Sequence, residues 1–187
     1  MNLFGRRVDP HLLVVGMTGV KLGDRFAQVG CAHGGRLAAV ARQVGFSGHS
    51  VAIVPDEASA ARARKGAAQA GVLLDVEIAP LTQLPLPDGS FDLVTVDDTD
   101  GLLATMRADD LARTAYEVQR ILKPGGRLMV IGSGQRRGMS ALFARAQSGP
   151  PFDAAAAFQV DGFRSVRRLA EREGLVFVEG IKPRQAP

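Results

Sequence analysis

The chain has 187 residues, a formal net charge of +4, 46% hydrophobic residues and 22% charged residues. This length is enough for one domain with its own core, and the composition is that of an ordinary globular protein. Disorder over most of the chain is therefore excluded. The single cysteine, Cys31, excludes a disulfide framework and a cysteine-clustered metal site, and it suits a reducing compartment.

The composition also limits the partners that we expect. The chain has no Trp and one Tyr, so it offers few aromatic side chains on which single-stranded nucleic acid could stack. No apolar run reaches the roughly 20 residues that a membrane helix needs. Residues 12–20 are apolar, but they contain two glycines and no small-residue cleavage pattern follows them. We therefore expect a cytoplasmic protein without a nucleic-acid partner and without stable membrane insertion.

Short apolar runs alternate with helical patterns along the chain. The runs are nearly continuous, which is typical of strands buried on both faces, and amphipathic spacing predicts the helices between them. The predicted strands are residues 26–29, 51–54, 72–78, 91–96, 128–131 and 175–178, and the predicted helices are residues 37–44, 57–70, 111–122 and 163–170. This alternation predicts an α/β fold, a single doubly wound and mostly parallel sheet with helices on both faces.

The first predicted strand runs into a glycine-rich turn, residues 28–35, and then into a helix. In doubly wound folds such a turn binds nucleotides, because small residues let a ligand approach the backbone and the helix N-terminus presents free amides. The alternative is a tight turn without a ligand. Within it, we interpret Cys31 as a small packed residue rather than a nucleophile. We interpret His33 as an exposed residue at the start of the helix, and the alternative for His33 is a cofactor contact or a proton carrier.

Four segments, in order, carry a resemblance to the class I S-adenosylmethionine (SAM)-dependent methyltransferases. They span residues 20–132, and the last two are the most specific. The segments are the lead-in Lys21-Leu22-Gly23-Asp24-Arg25, the loop Gly30-Cys31-Ala32-His33-Gly34, the stretch Leu84-Pro85-Leu86-Pro87-Asp88-Gly89-Ser90-Phe91-Asp92 and the turn Leu122-Lys123-Pro124-Gly125-Gly126-Arg127-Leu128. Residues 9–24, with Met17-Thr18-Gly19, also resemble the quinone-biosynthesis branch of that family.

The resemblance implies a Rossmann-like methyltransferase fold with residues 1–187 as a single domain. Residues 1–23 would be an N-terminal lead-in, and residues 136–160 are interpreted as an insertion or lid. The family closes its sheet with a further antiparallel strand, and few residues follow residues 175–181. We therefore expect that strand to be missing, and a homodimer through the uncovered edge is one hypothesis.

The resemblance also implies SAM as the cofactor, although the family's binding motifs are degraded. In the glycine turn, Gly30, Cys31, Ala32 and Gly34 would shape the cofactor loop, with alanine at the family's middle glycine. Gln28 stands where the family has an acid, and it would face the methionine end of the cofactor. Glutamine offers a hydrogen bond there but no charge.

The other two cofactor contacts fall after the second and third predicted strands. Pro55 stands at the usual ribose-binding carboxylate, so Asp56 or Glu57 would face the ribose, and Pro80 and Leu81 would face the adenine. The alternative for Asp56 is the N-cap of the following helix. Losing two hydrogen bonds to charged groups, about 1.5–3 kcal/mol each, would weaken cofactor binding roughly 10²- to 10⁴-fold.

The fourth predicted strand ends in an acidic loop that contains Asp97, Asp98 and Asp100. The family's methyl acceptor lies over this point, so the resemblance assigns Asp97 or Asp98 to orienting or deprotonating the acceptor. Crowded carboxylates raise one another's pKa, which favours proton transfer. The alternatives are a capping and turn cluster or the ligands of a hard divalent cation, although we expect no metal.

Three functions remain open from the sequence. The leading hypothesis is SAM-dependent methyl transfer to an unidentified small molecule. The alternative is a catalytically inactive methyltransferase-fold module for binding or scaffolding, because the motif acids are missing. A third hypothesis is nicotinamide dinucleotide binding, since Gly30, Ala32 and Gly35 loosely fit its glycine pattern, but the Leu-Lys-Pro-Gly-Gly turn argues against it.

Overall fold

Strands and helices alternate in the computed structural model, which describes residues 10–134, 153–159 and 163–184. The strands are β1 (Arg25–Val29), β2 (His49–Val54), β3 (Asp75–Ile78), β4 (Phe91–Asp98), β5 (Leu122–Ser133), β6 (Arg164–Arg172) and β7 (Leu175–Ile181). The helices are α1 (Leu12–Thr18), α2 (Gly34–Val44), α3 (Glu57–Ala70), α4 (Ala108–Ile121) and α5 (Ala154–Phe158), with a short 3-10 helix at Leu103–Thr105.

All seven strands form one sheet in the order β3-β2-β1-β4-β5-β7-β6. Strands β1 to β5 pair with one another in parallel, and β7 lies antiparallel between β5 and β6. The predicted α/β fold with a mostly parallel, doubly wound sheet is thus confirmed.

Helices cover both faces of the sheet, which explains why its central strands are apolar throughout. One face packs against α4 and α5, with Val118, Ile121 and Phe158 fully buried. The other face packs against α1, α2 and α3, with Leu37 and Ala63 fully buried. Consecutive residues of each central strand therefore enter opposite cores.

The last part of the sheet corrects two predictions. Residues 163–170 were expected to be helical, but residues 164–172 form the edge strand β6. The apolar spacing of three to four residues arises because two register shifts interrupt the strand, and Ser165 has a φ of +57°. The expected absence of an antiparallel strand was also wrong, because β7 pairs antiparallel with β5 along its whole length.

A two-residue turn makes this antiparallel arrangement possible. Glu173 and Gly174 join β6 to β7 and have φ angles of +53° and +73°, the left-handed conformation that tight hairpins need. The sequence interpretation missed this turn because it placed a helix before it. With β6 outermost, β7 fills the position next to β5.

Arg120 of α4 holds in place the stretch that begins at Leu84 and leads into β4, one of the four segments that carry the family resemblance. Its guanidinium donates to the carbonyl oxygens of Leu84 and Leu86, at 2.9 Å each, and pairs with Asp88 and Glu117. Glu117 in turn accepts a hydrogen bond from the Leu84 amide at 2.7 Å. This stretch therefore has an architectural role.

Part of the predicted organisation cannot be compared with the structure. Residues 1–9 of the predicted lead-in, and residues 136–152 and 160 of the predicted insertion or lid, lie outside the described residues. In the described part of the insertion, Asp153 caps the short helix α5. Among the described helices, none combines the length and the apolar character needed to cross a membrane.

Candidate functional site

The candidate site lies at the edge of the sheet where the parallel strands end. The glycine turn follows β1, Asp56 follows β2, Pro80 follows β3, and Asp97 and Asp98 are the last residues of β4. Because parallel strands end at the same edge, the fold brings these predicted residues to one side of the molecule.

The glycine turn connects β1 to α2 through a conformation that requires glycine. Gly30 has a φ of +75°, and its amide donates to the carbonyl oxygen of Ile53 in β2 at 2.9 Å. A Cβ atom at this position would lie 2.6 Å from Cδ2 of Leu102, so Leu102 covers the backbone of the turn. His33 caps α2, as expected, with Nδ1 accepting a hydrogen bond from the Arg36 amide at 3.3 Å.

Gln28 lies beneath the turn and has both ends of its amide engaged. It is 3% exposed, Nε2 donates to the carbonyl oxygen of Gly30 at 3.0 Å, and Oε1 accepts from Oγ1 of Thr95 at 3.2 Å. The side chain therefore stabilises the turn from inside the protein. It is buried at 3% exposure, so it offers a ligand little accessible surface.

The other residues predicted for the loop serve mainly packing. Cys31 is buried, and burial raises the pKa of its thiol to about 11, so it is not a reactive thiolate near neutral pH. Its carbonyl oxygen accepts from Nε of Arg62 at 2.9 Å. Gly34 lies against α3, where an added Cβ would be 2.1 Å from the carbonyl oxygen of Arg62.

Asp97 binds the glycine turn directly. Its Oδ2 accepts from the amides of Ala32 at 3.1 Å and His33 at 3.2 Å. Its Oδ1 lies 3.4 Å from Nη2 of Arg36 and accepts from the hydroxyl of Thr99 at 2.7 Å. Both carboxylate oxygens of this residue, which is 2% exposed, are therefore fully engaged.

The neighbouring Asp98 has a different environment. Its Oδ1 accepts from the Leu103 amide at 2.7 Å, the one hydrogen bond that the described residues give to its carboxylate. Burial raises its pKa from 3.8 to about 6, and Asp100 and Asp97 add to this shift although the Leu103 amide opposes it. Asp98 is the residue of this pair with an oxygen left to accept a proton.

The residues that were predicted to face the ribose and the adenine of the cofactor differ in exposure. Asp56 is exposed and caps α3 through a 2.7 Å bond from the Ser59 amide, which lowers its pKa. Glu57 is exposed and pairs with Arg64 at 2.7 Å. Pro80 is exposed, whereas Leu81 is 5% exposed and belongs to the core. The capping role that the sequence left open for Asp56 is thus present in the structure.

Sequence reasoning missed the residues that surround Asp97. Arg36, Thr99 and Leu102 reach the glycine turn from α2 and from the segment after β4. No local pattern distinguishes them, because their roles depend on contacts between distant parts of the chain. Within the described residues, no group of three or more His, Cys, Asp or Glu side chains could hold a metal ion.

A cavity of about 370 Å³ lies at the opposite end of the sheet, between the end of α1 and the start of β5. Two of its basic lining groups are paired: Lys123 with Asp92 at 2.7 Å, and Arg127 with Glu179 at 2.6 Å. It is far from the strand ends that carry the glycine turn and the acidic loop. We therefore do not assign the site to this cavity.

Comparisons with known proteins give the family and the fold of the chain. A family model described as a methyltransferase domain matches residues 27–130, more than half of the chain. Among curated proteins, the ubiquinone/menaquinone biosynthesis C-methyltransferase UbiE of Pseudomonas putida is 32% identical over 117 residues. The match covers 62% of this chain and 44% of that relative, so the chain corresponds to less than half of the relative's length.

Solved structures share the fold at lower sequence identity. A SAM-dependent methyltransferase from Aquifex aeolicus superimposes with a TM-score of 0.70 and 20% identity, covering 92% of this chain and 89% of that one. The [4+2]-cyclase SpnF superimposes with a TM-score of 0.66 and 18% identity, covering 93% of this chain and 80% of that one. At these identities the similarity establishes the fold and leaves the reaction open.

Proposed function

The chain belongs to the methyltransferase domain family, and we propose that it transfers a methyl group from SAM to a small-molecule acceptor. The observation that carries the proposal is the meeting, at one edge of the sheet, of a glycine turn and a buried carboxyl group. Gly30 forms that turn, and the pKa of Asp98 is raised to about 6. These are a ligand-binding loop and a proton acceptor suited to neutral pH.

Three features of this edge support SAM as the methyl donor. When bound, SAM supplies a methyl group on a positively charged sulfonium. Asp98 and Asp100 would place negative charge near that cation, and the exposed carboxylate of Asp56 would accept from a ribose hydroxyl. The exposed ring of Pro80 would offer the adenine an apolar surface, in place of the missing family carboxylate.

Asp98 is the residue that we propose as the general base. As the acceptor forms its bond to the methyl carbon, the bond between that carbon and the sulfonium sulfur would break and S-adenosylhomocysteine would leave. Oδ2 of Asp98 would take the proton that the acceptor loses. The Leu103 amide holds the other carboxylate oxygen at 2.7 Å and so fixes the direction of the group. With a pKa of about 6, the carboxyl group is ionised at neutral pH and more basic than an ordinary aspartate.

We base the proposed class of methyl acceptor on the name of the curated relative. That protein is named as a C-methyltransferase of ubiquinone and menaquinone biosynthesis. We propose a hydroquinone ring with an unsubstituted carbon as the first acceptor to test. Its phenolic proton is one that a carboxylate base could remove as electron density moves to the ring carbon.

Binding is tested first, by calorimetric titration of the purified chain with SAM and, separately, with S-adenosylhomocysteine. Micromolar binding of either ligand supports the proposal. It would mean that other contacts replace those of the family's acids that this chain lacks. Folded protein that shows no heat at millimolar ligand would contradict it and favour the catalytically inactive module.

Turnover is then compared between wild type, Asp98→Asn and the control Asp109→Asn, which removes an exposed acid from the first turn of α4. We expect Asp98→Asn to lower kcat by roughly 10²- to 10⁴-fold, the usual contribution of a general base. Its affinity for S-adenosylhomocysteine should stay near that of wild type. Unchanged turnover in Asp98→Asn would remove Asp98 from the mechanism.

A further inference from the structure

The carboxylate of Asp97 occupies the position where the glycine turn would bind an anion. The amides of Ala32 and His33 converge on one oxygen, Oδ2, at 3.1 and 3.2 Å. These amides belong to the turn that opens α2, so the positive end of the helix dipole is added to the two donors. A negative group is the natural occupant of such a position.

The surroundings of Asp97 also favour a negatively charged group. Nη2 of Arg36 lies 3.4 Å from Oδ1, and the guanidinium is mostly buried, with its side chain 14% exposed. Nε of Arg36 is buried and has no hydrogen-bond partner among the described residues. The guanidinium beside Asp97 thus has a buried donor that Asp97 does not satisfy.

The same segment that supplies Asp97 also covers the turn. Leu102 lies over Gly30, where an added Cβ would be 2.6 Å from its Cδ2. Thr99 donates to Oδ1 of Asp97 through its hydroxyl at 2.7 Å. The turn is therefore held by the protein's own anion and covered by an adjacent apolar side chain.

We propose that Asp97 is an internal anion that competes with ligand carboxylates for the glycine turn, and that it thereby determines which ligands the site prefers. SAM and S-adenosylhomocysteine each carry an amino-acid carboxylate. A nucleoside without that group, such as 5′-methylthioadenosine, would not meet this competition. The ligand part of the inference rests on the proposed function, whereas the internal-anion part concerns the chain alone.

The internal anion is tested without any cofactor, using the variant Asp97→Ala. We expect its thermal stability to fall and to be restored by formate, which replaces the missing carboxylate, but not by the neutral analogue formamide. In wild type and in the surface control Asp109→Ala, formate should change the thermal stability no more than formamide does. Equal effects of formate and formamide on Asp97→Ala would overturn the inference.

If Asp97→Ala does not fold, Asp97→Asn keeps the size of the side chain and removes its charge. Hydrogen exchange at the Ala32 and His33 amides is then the measurement. Faster exchange in the variant, with slowing by formate, supports the internal anion. Exchange at wild-type rates would overturn it, because the carboxylate would then not protect these amides.

The competition is tested by titrating wild type and the folded Asp97 variant with S-adenosylhomocysteine and with 5′-methylthioadenosine. We expect the variant to bind S-adenosylhomocysteine about 10- to 100-fold more tightly, because the freed amides can donate hydrogen bonds to the carboxylate of the ligand. The affinity for 5′-methylthioadenosine should not change. Equal gains for both nucleosides, or none, would overturn the competition.

The two proposals fail in different ways. If formate specifically restores the variant but neither nucleoside binds to wild type or variant, the proposed function fails and the internal anion stands. If S-adenosylhomocysteine binds to wild type but formate has no specific effect, the internal anion fails and the proposed function stands.

Discussion

Asp97 and Asp98 are adjacent residues of β4, yet their carboxyl groups have opposite surroundings. Successive side chains of a strand point to opposite faces, so Asp97 meets the glycine turn and Asp98 meets the segment after β4. Asp97 receives several donors, whereas Asp98 receives one amide in a buried setting. This difference is the reason why we propose Asp98, and not Asp97, as the general base.

Replacing Asp98 by Asn should stabilise the protein above pH 6. The folded-state pKa is raised from 3.8 to about 6, so the folded protein holds this proton more tightly than the unfolded chain. The stability from that proton is complete below pH 3.8 and is lost as the pH rises through 6. Asparagine keeps the acceptor for the Leu103 amide and carries no charge to bury.

The measurement is the free energy of unfolding of Asp98→Asn and wild type between pH 4 and pH 7.5. We expect their difference to grow with pH and to level off at about 1–2 kcal/mol in favour of the variant, after allowance for solvent screening. A difference that does not change with pH would show that the pKa of Asp98 is not raised.

At the scale of elements, α2 and α3 meet through two glycines. A Cβ added at Gly66 would lie 2.3 Å from the carbonyl oxygen of Gly34, and one added at Gly34 would lie 2.1 Å from the carbonyl oxygen of Arg62. These contacts are with backbone, which cannot move aside as a side chain can. The closeness of the helices also brings Arg62 to the glycine turn, where Nε donates to the carbonyl oxygen of Cys31.

Gly66→Ala should therefore destabilise the protein by about 1–3 kcal/mol, the usual result of overpacking, although alanine favours helix formation. The matched control is Gly16→Ala in α1, because within the described part of the chain no atom beyond the helix's own backbone lies within 4 Å of a Cβ added at Gly16. That variant should gain about 0.5–1 kcal/mol from helix propensity. Chemical denaturation measures both, and a stabilised Gly66→Ala would contradict the close packing of α2 and α3.

At the scale of the whole molecule, Glu179 connects the last three strands. Its carboxylate is buried in β7 and pairs with Arg127 of β5 at 2.6 Å and with Arg167 of β6 at 3.0 Å. Nη1 of Arg127 also donates to the carbonyl oxygen of Thr18 in α1 at 3.0 Å. One buried charge thus links the edge of the sheet to the N-terminal helix.

Glu179→Gln should cost about 1–3 kcal/mol, because it leaves Arg127 without its charged partner. Hydrogen exchange should rise most in β6, whose strand neighbour in the described sheet is β7. The control is Glu171→Gln, whose pair with Arg168 is on the surface and should contribute less than about 1 kcal/mol. Equal losses in the two variants would show that Glu179 does not hold the edge.

The sequence predicted the parallel part of the sheet because those strands are buried on both faces and leave continuous apolar runs. It did not predict β6, because an edge strand with two register shifts spaces its apolar residues as a helix does. It also missed the antiparallel position of β7, since pairing with β5 is a contact between distant segments. The turn at Glu173 and Gly174 was the local pattern that could have indicated both.

For the site, the sequence by itself determined which residues end the parallel strands, and hence that the glycine turn, Asp56, Pro80 and the acidic loop share one edge. It could not separate Asp97 from Asp98, because the environment of each comes from residues far along the chain. Asp97 and the Ala32 amide are 65 positions apart. Only the tertiary structure brings them into contact, and so only it shows that the turn already holds a carboxylate.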